Sequence, residues 1–144
     1  MKWYPFMLQI IPVAAQAGIS GFESPAAEYK QLALDLDELL IEHPNATFIG
    51  QAKGDSMTGV GIFDGDLLIV DRAAAATPLD VIVANLNGSF VCKLYDRKSQ
   101  VLLSPGLDHQ PYALGEGDIF EIEGIVVRSV RMHRYVRWLS QCMR

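Results

Sequence analysis

The stretch AKGDSMTGVGIFDGDLLIVD (residues 52–71) changes character twice along its length. It opens polar, turns small and glycine-rich around Ser56, and closes on a hydrophobic run. Gly-Asp-Ser is good turn chemistry, because glycine supplies φ > 0 and short polar side chains bond the nearby backbone. Ser56 is also not part of a G-x-S-x-G elbow, so its neighbourhood alone does not make it a nucleophile. A serine acts as one only beside a base, which has to come from elsewhere in the chain. The run that follows, DLLIVD, reads as a β-strand and sets the expectation for the rest of the fold.

Working outward, short β-branched or aromatic runs recur, divided by Gly, Pro, Asn and Asp. They are ATFIGQA (46–52), DLLIVD (66–71), DVIVANL (80–86), SFVCKLY (89–95), QVLLSP (100–105) and DIFEIEGIVVRSVRM (118–132). Between the third and fourth, Asn87-Gly88 suits a two-residue type I′ turn, in which both central residues need φ > 0. Counting back from that turn pairs Leu86 with Ser89, Ala84 with Val91 and Ile82 with Lys93. On the N-terminal side, SPAAEYKQLALDLDELLIEHP (24–44) reads as a helix start, with Ser24 as N-cap and Pro25 in the first helical position. Its LALDL portion alternates equally well as a strand. The expected fold is therefore mostly β, with one short helix and a mobile N-terminal arm.

The chain of 144 residues is of single-domain size, half hydrophobic and one-fifth charged, as in soluble globular proteins. Three segments are expected: an arm over 1–23, a β domain over 24–132 and a basic tail over 133–144. The net charge of −5 argues against bulk attraction to nucleic acid. All 17 acidic residues fall within 21–124, whereas the last twenty residues carry Arg128, Arg131, Arg134, Arg137 and Arg144 and no acid. Arg131, Arg134 and Arg137 recur beside Tyr135 and Trp138, a pattern open to a polymerase, a filament or DNA phosphates, or to a solvated tail. Trp138 can equally cover a sheet edge.

The two cysteines follow no metal spacing and suit a reducing cytosol, and nothing in the pattern calls for a metal or a cofactor. MKWYPFMLQIIPVAAQAG (1–18) imitates a signal peptide, but Pro5, Gln9 and Pro12 interrupt it and only Lys2 precedes the apolar part. No segment reaches the ~18 apolar residues of a membrane span. A cytoplasmic protein without a membrane partner is expected.

Lys93 stands in a nearly continuous apolar strand, flanked on its own face by Val91 and Tyr95. Such a lysine can snorkel at a sheet edge. It can also lose its proton, because desolvation disfavours the ammonium, and a neutral amine is a general base. His43, His109 and His133 lie beside a proline, in a loop and in the basic tail, and read as surface residues. A serine–lysine pair is thus the better route to an activated Ser56.

Taken together, GFESPAAEY (21–29), LLIEHPNATF (39–48), KGDSM (53–57), GDLLIVD (65–71) and the lysine of FVCKL (90–94) resemble, in order and spacing, the LexA/UmuD family of self-cleaving serine–lysine peptidases, in its UmuD/MucA branch. The resemblance runs from about Gly21 to Arg131. It implies a LexA/UmuD C-terminal-like β domain, Ser56 as nucleophile, Lys93 as its base, and a scissile bond between Ser20 and Gly21. The family's usual residue before the cut is Cys or Ala, so Ser20 departs from it while remaining small. Oxyanion donors are expected among the backbone N–H groups of the Gly54–Met57 loop, with Ser56 and Met57 as the candidates.

The same resemblance implies a homodimer, cleavage stimulated by a RecA–single-stranded DNA filament in the SOS response to DNA damage, and a processed form that joins a Y-family polymerase catalytic subunit for translesion synthesis. Only twenty residues precede the expected cut, too few for a helix-turn-helix reader, so no sequence-specific DNA binding is expected. QLALDL (31–36) is similar to short peptides that bind bacterial sliding clamps, although its leucines can simply pack against the β body. Two alternatives remain: a non-catalytic, polymerase-regulating module of the same fold, and a signal peptidase, which would need a membrane anchor.

Overall fold

The computed structural model describes residues 35–106 and 109–137, and the chain divides into two units, residues 1–42 and 43–144. The arm, the Ser20–Gly21 bond, the Ser24 helix start, most of QLALDL, Trp138 and Arg144 lie outside the described residues. In the first unit the described structure is α1 (Leu36–Leu40), capped by Asp35, whose carboxylate accepts the Glu38 N–H at 2.7 Å. The helix stops short of the boundary at Pro44 expected from sequence: Ile41 is already extended, at φ −121° and ψ 110°. A β-branched residue gains little in a helix, and the approaching proline restricts the residue before it. No helix among the described residues is long and apolar enough to cross a membrane.

The second unit is one antiparallel sheet built from β1 (Thr47–Gln51), β2 (Leu67–Asp71), β3 (Leu79–Leu86), β4 (Ser89–Asp96), β5 (Val101–Leu103), β6 (Tyr112–Ala113) and β7 (Phe120–Val130). The strand order is β1-β2-β7-β3-β4-β5-β6, so β7 returns from the far end of the chain to sit between β2 and β3. Among the described residues the architecture is mostly β with one short α-helix, as the resemblance to the LexA/UmuD β domain implies. The hairpin register is as expected, with Leu86 opposite Ser89, Ala84 opposite Val91 and Ile82 opposite Lys93. Asn87 at φ 51° and Gly88 at φ 88° form the turn, the conformation a type I′ loop demands. The two-residue β6 was not expected from the sequence.

The apolar residues of β3 alternate between two core clusters. Val81 and Val83 pack against Ala52, Met57, Ile62, Leu68 and Val70, whereas Ile82 and Ala84 join Tyr95 and Leu102. With apolar residues wanted on both sides, the strands read as nearly continuous hydrophobic runs, and β2 is buried along its whole length. Strand β7 slips register once against β2 and once against β3, the irregularities that bend and twist a strand. It also approaches β2 closely at Gly124, where an added Cβ would stand 2.6 Å from Val70 Cγ1.

Candidate active site

The loop that carries Ser56 is tied at its base and anchored at its middle. The Ala52 N–H donates to the Asp66 carbonyl at 2.9 Å, and the Gly65 N–H to the Ala52 carbonyl at 2.8 Å. Gly54, at φ 84°, turns the chain out of β1 in a conformation that suits glycine, and its N–H donates to Asp64 Oδ1 at 2.7 Å. Met57 is buried at 4% exposure and pins the loop into the first core cluster, leaving its neighbour Ser56 half-buried. A 3-10 turn over Thr58–Val60 follows. The Thr58 N–H is taken by the Asp55 carbonyl; those of Ser56 and Met57 find no acceptor among the described residues.

Behind this loop lies a buried carboxylate. Asp66 is 1% exposed and accepts two bonds from Arg131, from Nε at 2.8 Å and from Nη2 at 2.8 Å, as well as the Phe63 N–H at 2.8 Å. Its pKa lies below the usual carboxylate value, chiefly through the hydrogen bond from Arg131. Arg131 also donates to the Gly61 carbonyl at 3.0 Å and lies over the Phe63 ring, 4.2 Å from its centroid. The sequence places Arg131 just before the expected tail, in a pattern with Arg134 and Arg137 open to external partners or to solvent. In the structure this guanidinium is engaged by the chain's own Asp66.

Lys93 is half-buried in the middle of β4, opposite the fully buried Ile82. Ser56 and Lys93, drawn from separate elements, line one cleft of about 600 Å³, whose apolar lining includes Phe48, Leu68, Val83 and Phe90. Cys92 lines it too, and burial pushes its thiol up to about 11, so it is an inert neighbour rather than a rival nucleophile. The hydrogen bond of Lys93 Nζ goes to Ser104 Oγ at 2.6 Å.

Ser104 opens a segment that lies against the serine loop. The Pro105 carbonyl accepts the Gly59 N–H. A Cβ added to Gly59 would collide with that carbonyl, and one added to Gly106 would collide with the Asp55 carbonyl and stand 3.1 Å from Ser56 Cα. Farther on, His109 Nε2 meets Asp55 Oδ1 at 2.8 Å, and this hydrogen bond holds the Asp55 carboxyl below its ordinary pKa. His43 Nδ1 meets the buried Asp71 at 2.6 Å. Two of the three histidines, read from sequence as plain surface residues, therefore pair with carboxylates, one of them directly beside Ser56. Partners 54 and 28 residues away leave no local spacing signal.

A twisted antiparallel sheet with a serine on its glycine-rich loop and a strand lysine lining the same cleft defines the class: the LexA-like β domains. The chain belongs to the Peptidase S24-like family, which matches residues 9–127, and within it to the UmuD/MucA branch. It is 33% identical over 126 residues to Protein ImpA of Salmonella typhimurium, covering 88% of this chain and 87% of that protein. It is 34% identical over 125 residues to Protein MucA of Escherichia coli, covering 85% and 86% respectively. Protein SamA of Salmonella typhimurium is 38% identical over 94 residues, 65% of this chain and 67% of its own length.

Proposed function

We propose that this chain is a self-cleaving SOS-response protein, cut between Ser20 and Gly21 by Ser56 with Lys93 as general base. The observation that carries the reading is that Ser56 and Lys93 line one cleft in a chain of the Peptidase S24-like family. The Lys93 amine takes the Ser56 hydroxyl proton as Oγ adds to the Ser20 carbonyl carbon. The resulting oxyanion faces the Ser56 and Met57 N–H groups, which have no other acceptor among the described residues. When the intermediate collapses, the Ser20–Gly21 C–N bond breaks and the Lys93 ammonium returns its proton to the Gly21 amine. Water, deprotonated by the same lysine, then hydrolyses the Ser20 ester. Small residues at the bond keep the backbone unhindered as it enters the cleft.

The product, residues 21–144, is a dimer that joins a Y-family polymerase catalytic subunit in error-prone translesion synthesis, and a RecA–single-stranded DNA filament stimulates the cut. The similarity to Protein MucA and Protein ImpA supports this role. QLALDL would offer a contact to the sliding clamp. Incubation with RecA, single-stranded DNA and a nucleotide should yield a fragment beginning Gly-Phe-Glu-Ser, absent in Ser56→Ala and in Lys93→Ala. A chain that keeps residues 1–20 under these conditions is the non-catalytic module instead, and unchanged cleavage in both variants removes the serine–lysine pair.

A further inference from the structure

We infer that Ser104 is a positioning residue for self-cleavage: its hydroxyl holds the Lys93 amine in the orientation from which it serves Ser56. The inference rests on the serine–lysine reading above, and three observations of the structure carry it. The first is register. Strands β4 and β5 pair antiparallel with Leu94 opposite Leu103, and continuing that ladder by one step brings Ser104 directly across from Lys93. Cross-strand neighbours at such positions have Cβ atoms within about 5.5 Å, so the contact is a product of the sheet and not of a chance rotamer. The second is the bond itself, 2.6 Å from Nζ to Ser104 Oγ and partly buried. The third is that the next two residues bear on the serine loop, Pro105 through the Gly59 N–H and Gly106 through the Asp55 and Ser56 backbone. Ser104 thus joins a lysine on one strand to the segment that abuts its serine.

The chemistry needs such a tie. A lysine carries its amine on four methylenes, and freezing that chain opposes a large rotamer entropy. A neutral amine has one lone pair and two N–H groups. It is useful as a base only while the lone pair faces the serine oxygen. Accepting one N–H, the Ser104 oxygen fixes rotation about the terminal bond and leaves the lone pair unengaged by that contact. The apolar lining offers no competing acceptor from Phe48, Leu68, Val83 or Phe90. Because a misplaced base loses rate steeply, loss of the hydroxyl lowers the cleavage rate beyond any effect on folding.

The test compares Ser104→Thr with Ser104→Val, side chains of one shape that differ in the hydroxyl, alongside Ser104→Ala and a Ser56→Ala control. Cleavage by the full-length protein is followed with RecA, single-stranded DNA and a nucleotide, and thermal melting is recorded for each variant. Ser104→Val and Ser104→Ala should cleave roughly 10- to 100-fold more slowly, with Ser104→Thr within about threefold of the parent. Equal rates for Thr and Val, whether both high or both low, overturn the inference, because the hydroxyl then does not matter. If Ser104→Ala melts early, the Thr and Val pair still decides. Cleavage that persists in Ser56→Ala removes the serine–lysine reading itself, whereas cleavage lost there but indifferent to the residue 104 hydroxyl removes only this step.

Discussion

Replacing Gly106 by alanine should disable cleavage while leaving the sheet folded. The φ of Gly106 is not in the left-handed region, so alanine suits its backbone and the effect is steric alone. Its new Cβ would collide with the Asp55 carbonyl and stand 3.1 Å from both Ser56 Cα and Ser56 C. All three are backbone atoms, which cannot swing aside as a side-chain tip can. Restoring ordinary contact requires the two segments to separate by on the order of 1 Å, a displacement that costs an active site about 100-fold in rate. The accompanying strain is that of overpacking, about 1–3 kcal/mol. Cleavage with RecA and single-stranded DNA reads the first quantity, and thermal or denaturant unfolding reads the second. Gly59→Ala attacks the same interface from the other side, since its Cβ would collide with the Pro105 carbonyl. Once one alanine has parted the segments, the second has little left to displace, so the double variant should lose far less than the product of the single losses. Parent-like cleavage by Gly106→Ala, or fully additive losses in the pair, would refute the idea that this contact sets the serine's position.

Two further outcomes bear on the framework around the cleft. The depressed pKa of Asp66 stabilises the fold above the unfolded carboxylate pKa of about 3.9, and that stability is lost as pH falls through the folded value. Denaturant titrations should therefore find Asp66→Asn less stable than the parent at neutral pH, with the gap closing below about pH 4; a gap constant from pH 7 to pH 2 contradicts the Arg131 pairing. Ile82 is fully buried opposite Lys93, so Ile82→Ala should lose about 2–5 kcal/mol and Ile82→Val about 0.5–1.5, with smaller losses showing that this cluster collapses around the void.

What the sequence disclosed and what it withheld divide by physical origin. The β3–β4 hairpin was legible because Asn87-Gly88 fixes a turn length, and a fixed length fixes the register residue by residue. Lys93 stood out because a charge inside an apolar strand conflicts with its surroundings, and conflicts of that kind mark functional positions. The Ser104 partner was hidden for the converse reason. Strand β5 returns through Arg97–Gln100, a longer connection closed by Gln100 at φ 53°, and neither its composition nor its length dictates one register. Shifting that pairing by a single residue would turn Ser104 to the other side of the sheet, and no feature of QVLLSP forbids the shift. The Arg131–Asp66 pair was hidden likewise, because 65 residues separate its members and only the placement of β7 beside β2 unites them. Turn chemistry and local conflict are written into short stretches of chain; partners across independently registered strands are not. The proposed serine–lysine site is accordingly announced by Ser56 and Lys93 themselves, while the groups packed around them come into view only with the sheet assembled.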